Sequence, residues 1–368
     1  APAAQRNILG VIGAVGVEAG MKVINTRKYN HEVVKMIGGR AIHPVAGLPG
    51  GMSKAINEEE RQYIEEVARQ NVDFAQWSLE VFDQVVLQNS DYVELILSEG
   101  YTQQTYYMGL VDENNHVNFY DGLVRVVDPD GHEYVKYAPH EYAEHIAEHV
   151  EPYSYLKYPY LRGVGWKGFT DGRDSGMYAA TPLSRLNAAD GMATPLAQQH
   201  YERFYNTLGG KPVHHTLATH WARLIELLYA AEHMLELATD PEITSPNVRA
   251  IPTETPTVGI GIVEAPRGTL THHYETDENG ILTKVNLIVG TTNNNAPITL
   301  SIKRAAEAVI HNGVVDDGLL NMVEMAFRSY DPCLSCATPS LPGQRPLEVV
   351  IRGADGEVVD RRSQYIDG

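Results

Sequence analysis

Apolar residues recur along this chain at two spacings, and the switches between them predict its elements. From Glu58 to Leu87 they fall at helical spacing, with Ile64, Val67, Phe74 and Val81 on one side of a charged run. A second helical run begins at Thr216, where Leu217, Trp221, Leu224, Leu228, Ala231 and Leu235 follow the i, i+4, i+7 rhythm of a buried face. A third spans roughly Pro297 to His311 and leads toward the stretch DPCLSCATPS. The alternation in VNFYDGLVRVVDPDGHEYVKY, around the turn Asp128-Pro129-Asp130-Gly131, predicts a β-hairpin. Residues 257–289 read as strands around Asp277-Glu278-Asn279-Gly280, and RPLEVVIRGADGEVVDRR as a hairpin turning at Asp355-Gly356. Gly38 to Ser53 is a Gly- and Pro-rich loop. The opening residues carry helical spacing from Ile8 without a cap or turn that marks a domain start, so the sequence reads like a chain entered in the middle of an element.

Composition narrows the possibilities. A chain of 368 residues with 43% apolar and 21% charged residues suits one large folded domain or two ordinary ones. The balance of 29 Lys and Arg against 47 Asp and Glu, a net charge of −18, repels phosphate backbones and anionic membranes and argues against nucleic acid as a partner. Apolar runs such as LLYAA from Leu227 are too short to span a bilayer, and no basic region followed by an apolar core opens the chain. The expectation is a cytoplasmic protein with no membrane partner.

Only two cysteines occur, Cys333 and Cys336, two residues apart. A disulfide between them would be strained and would close too short a loop to hold a protein of this size, which leaves metal ligation or redox chemistry. As thiolates the two sulfurs can converge on one soft or borderline metal ion, but they supply only half of a tetrahedral site. In EAPRGTL, Arg267 sits between Pro266 and Gly268 on backbone first stiffened and then freed to turn, so its guanidinium can project rigidly. A surface salt bridge would use the same residue, and Asp331 before Pro332 reads equally well as a turn residue. His145 and His149 in HIAEH have the spacing of a zinc-binding helix, yet the acidic stretch EYAEHIAEHVEP points instead to a solvent-facing surface helix. His214, His215 and His220 are read as capping or buried hydrogen-bonding groups.

The segments DPCLSCAT, EAPRGTLTHHY, KPVHHTLATHWARLIELLYAAE and ATPLSRLNAADGMATPLAQ together resemble the large subunit of [NiFe]-hydrogenases, closest to the cytoplasmic methyl-viologen-reducing type that associates with heterodisulfide reductase. The similarity covers essentially the whole chain. It implies a mainly α fold, a helical-bundle core with peripheral β-hairpins, and reversible splitting of H₂ into protons and electrons. In that family two Cys-x-x-Cys pairs hold a nickel, and two of the four thiolates bridge to an iron carrying cyanide and carbon monoxide. Cys333 and Cys336 resemble the C-terminal pair, and Arg267 and Asp331 resemble the groups lying over the open metal site, with Pro266 beside them. Thr291, in VGTTNNN, is similar to the residue that hydrogen-bonds a cyanide. The implied partners are an Fe–S small subunit, heterodisulfide reductase or another electron-acceptor module, nickel-insertion proteins and a maturation endopeptidase.

Two departures from the family stand out. The first cysteine pair, with its arginine and proton-passing glutamate, belongs to an N-terminal segment that this sequence lacks. Pro339 stands where the family has a histidine that helps bind magnesium or a similar ion and precedes the endopeptidase cut. The chain is therefore read as residues 1–339, a large-subunit domain without its N-terminal portion, followed by the tail 340–368, an unprocessed extension. Leu347, Val349 and Ile351 are expected to alternate there with Glu348 and Val350 in the hairpin. A scaffold subunit that kept the fold and lost the metal, its cysteine pair empty or holding zinc, is the rival reading, and a metal-free precursor is its variant.

Overall fold

A computed structural model describes residues 8–333 and 348–363. Helix exceeds strand by about two to one, 46% against 22%. The helix Glu58–Phe82 starts at a reciprocal cap: Asn57 Oδ1 accepts from Glu60 N at 2.9 Å, and Glu60 Oε2 accepts from Asn57 N at 3.1 Å. Three glutamates in its first turn suit the positive end of the helix dipole. Its Ile64, Val67, Ala68, Ala75 and Leu79 are buried, and it packs along the helix Thr219–Thr239. That second helix follows a 3-10 turn, Thr216–Ala218, and buries Trp221, Ile225, Leu228 and Tyr229. Phe204 and Tyr205 from the helix Pro195–Leu208 complete this core, with the Phe204 ring edge-on to Trp221.

The predicted hairpins form, but they are not all peripheral. Leu123–Val127 pairs with Glu133–Tyr137 across the turn at Asp128, inside a six-stranded sheet built around Tyr106–Val111. All six residues of Tyr106–Val111 are buried, which places this strand in the interior of the protein. Helix Pro182–Ala188 lies against it so closely that a Cβ on Gly109 would meet Arg185 Cα at 2.9 Å. This contact seats Arg185 in the core.

The surface-helix reading of EYAEHIAEHVEP is corrected. Helix extends only over Tyr142–His145, and Ile146–Val150 is a strand paired with Lys157–Leu161. His145 stacks on Tyr137, whereas His149 stacks on Trp166 and meets Glu151 at 2.9 Å. The two imidazoles therefore have separate partners, because from Ile146 the chain is extended at about 3.3 Å per residue instead of wound at about 1.5 Å.

Val258–Ala265, Gly268–Thr276 and Leu282–Ile288 form a three-stranded antiparallel sheet. The third predicted helix is Asn295–Val309, and a further helix, Asp317–Arg328, follows it. In the tail, Glu348–Arg352 pairs with Val358–Ser363. Val349 and Ile351 are half-buried and Glu348 and Val350 exposed, the expected alternation; Leu347 lies outside the described residues. Among the described residues no helix is long and apolar enough to cross a membrane.

Candidate active site

The site is built on the turn between the first two strands of the three-stranded sheet. Ala265 pairs with Gly268, so Pro266 and Arg267 form the two-residue tip. Gly268 has φ 150°, and a Cβ there would meet the carbonyl oxygens of Ala180 and Gly290, each at 2.6 Å. This close approach brings the short helix Gly290–Asn293 against the tip. Asn294 locks the arrangement: its Nδ2 donates to Arg267 O at 2.8 Å and its Oδ1 accepts from Ala180 N at 2.8 Å. Asn293 adds a second latch, accepting from Tyr178 Oη at 2.6 Å.

Held in this way, Arg267 reaches the segment after helix Asp317–Arg328. Its Nη2 lies 3.4 Å from Asp331 Oδ2, and its Nε donates to the Asp331 carbonyl oxygen. Asp331 adopts φ 50°, a left-handed conformation that aspartate tolerates better than most residues. Two residues on, Cys333 N donates to Thr291 Oγ1 at 3.2 Å. The structure thus gathers Arg267, Asp331, Thr291 and Cys333, with Pro266 next in the chain. Cys333 is disulfide-bonded in this structure, which corrects the expectation that so short a loop disfavours a disulfide, and Cys336 lies outside the described residues. The side chains of Arg267 and Asp331 are 38% and 52% exposed, so this cluster sits on an open face.

Behind the tip is a buried charge network. Arg185 donates to both Glu226 carboxylate oxygens at 2.6 Å and to Glu264 Oε2 at 2.9 Å. The same guanidinium reaches Ala265 O at 3.0 Å and Pro266 O at 3.4 Å. Burial alone would lower the Arg185 pKa, but the two carboxylates outweigh it and hold it above the ordinary value. Glu264 also accepts from Leu110 N at 2.8 Å and Thr269 Oγ1 at 3.0 Å; burial nonetheless raises its pKa. A cavity of about 310 Å³ opens between this network and Phe119, Leu227, Ala230 and Pro266.

Residues 86–339 match the family described as nickel-dependent hydrogenase. The chain belongs to that family. It is 48% identical to an iron-sulfur subunit of the F420-non-reducing hydrogenase of Archaeoglobus profundus, across 97% of this chain and 73% of that protein. It is 37% identical to the NAD-reducing hydrogenase HoxS subunit beta of Cupriavidus necator, across 99% of this chain and 74% of that protein. The fold superposes on an NAD+-reducing [NiFe]-hydrogenase in the H2-reduced state with TM-score 0.84 and 33% identity, covering 92% of this chain and 72% of that one. This is an oxidoreductase chain of the hydrogenase large-subunit type.

The donor set can be tested against the nickel that names the family. A cysteine thiolate is a soft donor suited to nickel and iron; Cys333 N bonds the Thr291 hydroxyl, and the carboxylate partner of Arg267 stands two residues before it in the chain. Thr291 accepts in its bond to Cys333 N, which leaves the hydroxyl proton for donation to an anionic group. Among the described residues, the one cluster of three or more His, Cys, Asp or Glu side chains is Asp128, Asp130 and His132. It lies in a hairpin turn of the six-stranded sheet, with Arg173 bonded to both aspartates. Among the described residues, one cysteine therefore fits nickel as part of a donor set.

His214 and His215 are within hydrogen-bond distance of Tyr107 Oη at 2.6 Å and Thr102 Oγ1 at 2.9 Å, as expected of structural groups. His220 differs: its surroundings desolvate it and lower its pKa, with the Arg223 charge lowering it further and Asp331 opposing. Sequence reasoning also missed Arg185, Glu226, Glu264, Asn294 and Arg223. A signal was present, because Glu226 in LIELL and Arg185 in LSRLN interrupt apolar runs, and a charge at a core position requires a partner.

Proposed function

We propose that this chain supplies the C-terminal half of a nickel-iron site and catalyses reversible heterolytic splitting of H₂, in the cytoplasm, with electrons leaving through an Fe–S small subunit. The observation that carries this reading is the convergence of Arg267, Asp331 and Thr291 on the segment entering Cys333. Cys333 and Cys336 would be the thiolate ligands once the disulfide at Cys333 is reduced. When bound, a nickel-iron centre carrying cyanide and carbon monoxide supplies the Lewis acidity and the electron sink for heterolysis.

The protein's own groups set the surroundings. Arg267 presents a fixed positive charge over the open side, and its planar guanidinium is oriented by Asp331. Asp331 also offers a carboxylate that can take and pass a proton. Thr291 keeps a hydroxyl proton that it could donate to an anionic ligand of that iron, and Pro266 lines the cavity behind the hairpin tip. Two further thiolates come from a segment or subunit beyond this sequence. Heterodisulfide reductase or another acceptor module takes the electrons. Pro339 has no ligand atom in its side chain, so no magnesium or iron is assigned beside it. Residues 340–368 are assigned to a retained extension, with 1–339 as the hydrogenase domain.

The test is metal analysis of the complex purified from its source, with infrared spectroscopy. Nickel at about one per chain, together with CO and cyanide bands, is expected. Zinc or no metal, with no such bands, would support a scaffold subunit or a metal-free precursor instead.

A further inference from the structure

We propose that Arg223 is a positioning residue that sets the spacing of Arg267 and Asp331 across the hydrogenase site. The inference rests on the reading of that site given above. Arg223 lies on the first turns of helix Thr219–Thr239, a core helix that buries Trp221, Ile225 and Leu228. Its Nη1 donates to Pro266 O at 3.2 Å and its Nη2 donates to Ser329 O at 2.9 Å. Pro266 immediately precedes Arg267, and Ser329 stands two residues before Asp331. One planar guanidinium thus bridges the backbones that carry both side chains.

Three features make this bridge more than a surface contact. The two acceptors belong to elements far apart in the chain, a hairpin tip and the end of helix Asp317–Arg328, and the Arg267–Asp331 pair itself is too exposed to hold them in register. Ser329 is fully buried, and its carbonyl belongs to the last turn of a helix, where acceptors lack partners within the helix and a cation is favoured. The two Nη atoms have a fixed separation, so the carbonyls they bind are held at a set distance, whereas a lysine ammonium is a point donor on a flexible stem. Arg185 already grips Ala265 O and Pro266 O from the side of Glu226 and Glu264. The hairpin tip is therefore anchored independently, and Arg223 is a buried-acceptor tie of the Asp331 segment to it, beside the Arg267–Asp331 and Thr291–Cys333 contacts.

The test uses the purified complex with Arg223→Gln and Arg223→Lys, and Arg304→Gln as a control that removes guanidinium bonds to Thr102 O and Asp171 elsewhere. In a crystal structure of Arg223→Gln, the Arg267–Asp331 contact should be broken while the Pro266 tip keeps its bonds to Arg185. In kinetics, kcat for H₂ oxidation should fall about 100-fold, as for an ångström-scale misplacement of a working group, with the KM for H₂ and the nickel content within about twofold of wild type. The CO stretching band should shift in position without losing intensity. Arg223→Lys should recover less than about a tenth of the lost rate, and Arg304→Gln should stay within about twofold of wild type. If Arg223→Gln does not fold, Arg223→Lys carries the same crystallographic and infrared readouts. An unbroken Arg267–Asp331 contact in the variant overturns the proposal, as does a loss of activity that only tracks lost metal. Failure of the underlying reading looks different: wild type itself would lack H₂ oxidation and the infrared bands, while the crystallographic result would still report on the spacing.

Discussion

Two arginine–carboxylate assemblies stand close together here and have opposite characters. Arg185 with Glu226 and Glu264 is sealed in the core, with side chains 1%, 6% and 1% exposed. Arg267 with Asp331 lies on the open face at 38% and 52%. The same pairing chemistry has different consequences in the two settings. In the core, each charge depends on its partners, because an unpaired one would lose its hydration with nothing in return. On the face, water screens the pair, and its direct contribution to stability is about 0–1 kcal/mol. The buried assembly holds the hairpin tip, and the proposed function assigns the chemistry to the exposed pair.

The largest expected effect breaks the buried side. Arg185→Met should lower stability by about 3–5 kcal/mol, since it strands two carboxylates in the core, and a urea unfolding curve would read this directly. A loss under about 1 kcal/mol would mean that the carboxylates become protonated or hydrated at little cost. Next, Gly268→Ala should cost about 2–3 kcal/mol, because a Cβ would press on two carbonyl oxygens at 2.6 Å. It should also displace Thr291 from Cys333, visible as altered metal uptake.

A smaller effect sharpens the contrast through pH. Burial is the main cause that lowers Lys211 from 10.5 to about 8, between Asp190 and the rings of Tyr201 and Tyr205. Between pH 8 and 10 the unfolded chain keeps this proton while the folded chain releases it. Stability should therefore rise with pH across that window, by on the order of 1–2 kcal/mol, and Lys211→Met should flatten the rise. Above pH 10 the trend should reverse, because buried tyrosines such as Tyr201 and Tyr205, raised well above the ordinary value by burial, ionise more readily in the unfolded chain. The smallest effect belongs to the exposed pair: Asp331→Asn should change the denaturation midpoint by no more than about 0.5 kcal/mol in free-energy terms.

The same contrast explains what could be read from the sequence. The helices at Glu58 and Thr219 were legible because one face of each carries a regular apolar stripe, and the hairpins because Asp-Gly turns fix their corners. Tyr106–Val111 was not, since a strand buried on both faces has no alternation to reveal it. HIAEHV was misread because a spacing of four fits a helix, while its hydrogen bonds go to Lys157–Leu161. At the site, Cys333, Arg267 and Asp331 stood out in their local sequence and took their roles from the family resemblance, which alone pointed to Thr291; the structure brings the four together. Arg185 and Glu226 were missed because each alone looks like a surface charge, and their pairing spans 41 residues; that of Arg185 with Glu264 spans 79.

The account rests on the claim that the exposed pair serves turnover and the buried network serves structure. The most direct measurement is H₂ oxidation by the Arg267→Lys complex, taken with its denaturation midpoint, nickel content and infrared bands. Loss of the planar fork should lower kcat about 100-fold or more, with the midpoint within about 0.5 kcal/mol of wild type and the metal retained. Near-normal turnover, or a loss of activity matched by a loss of metal or stability, would contradict it.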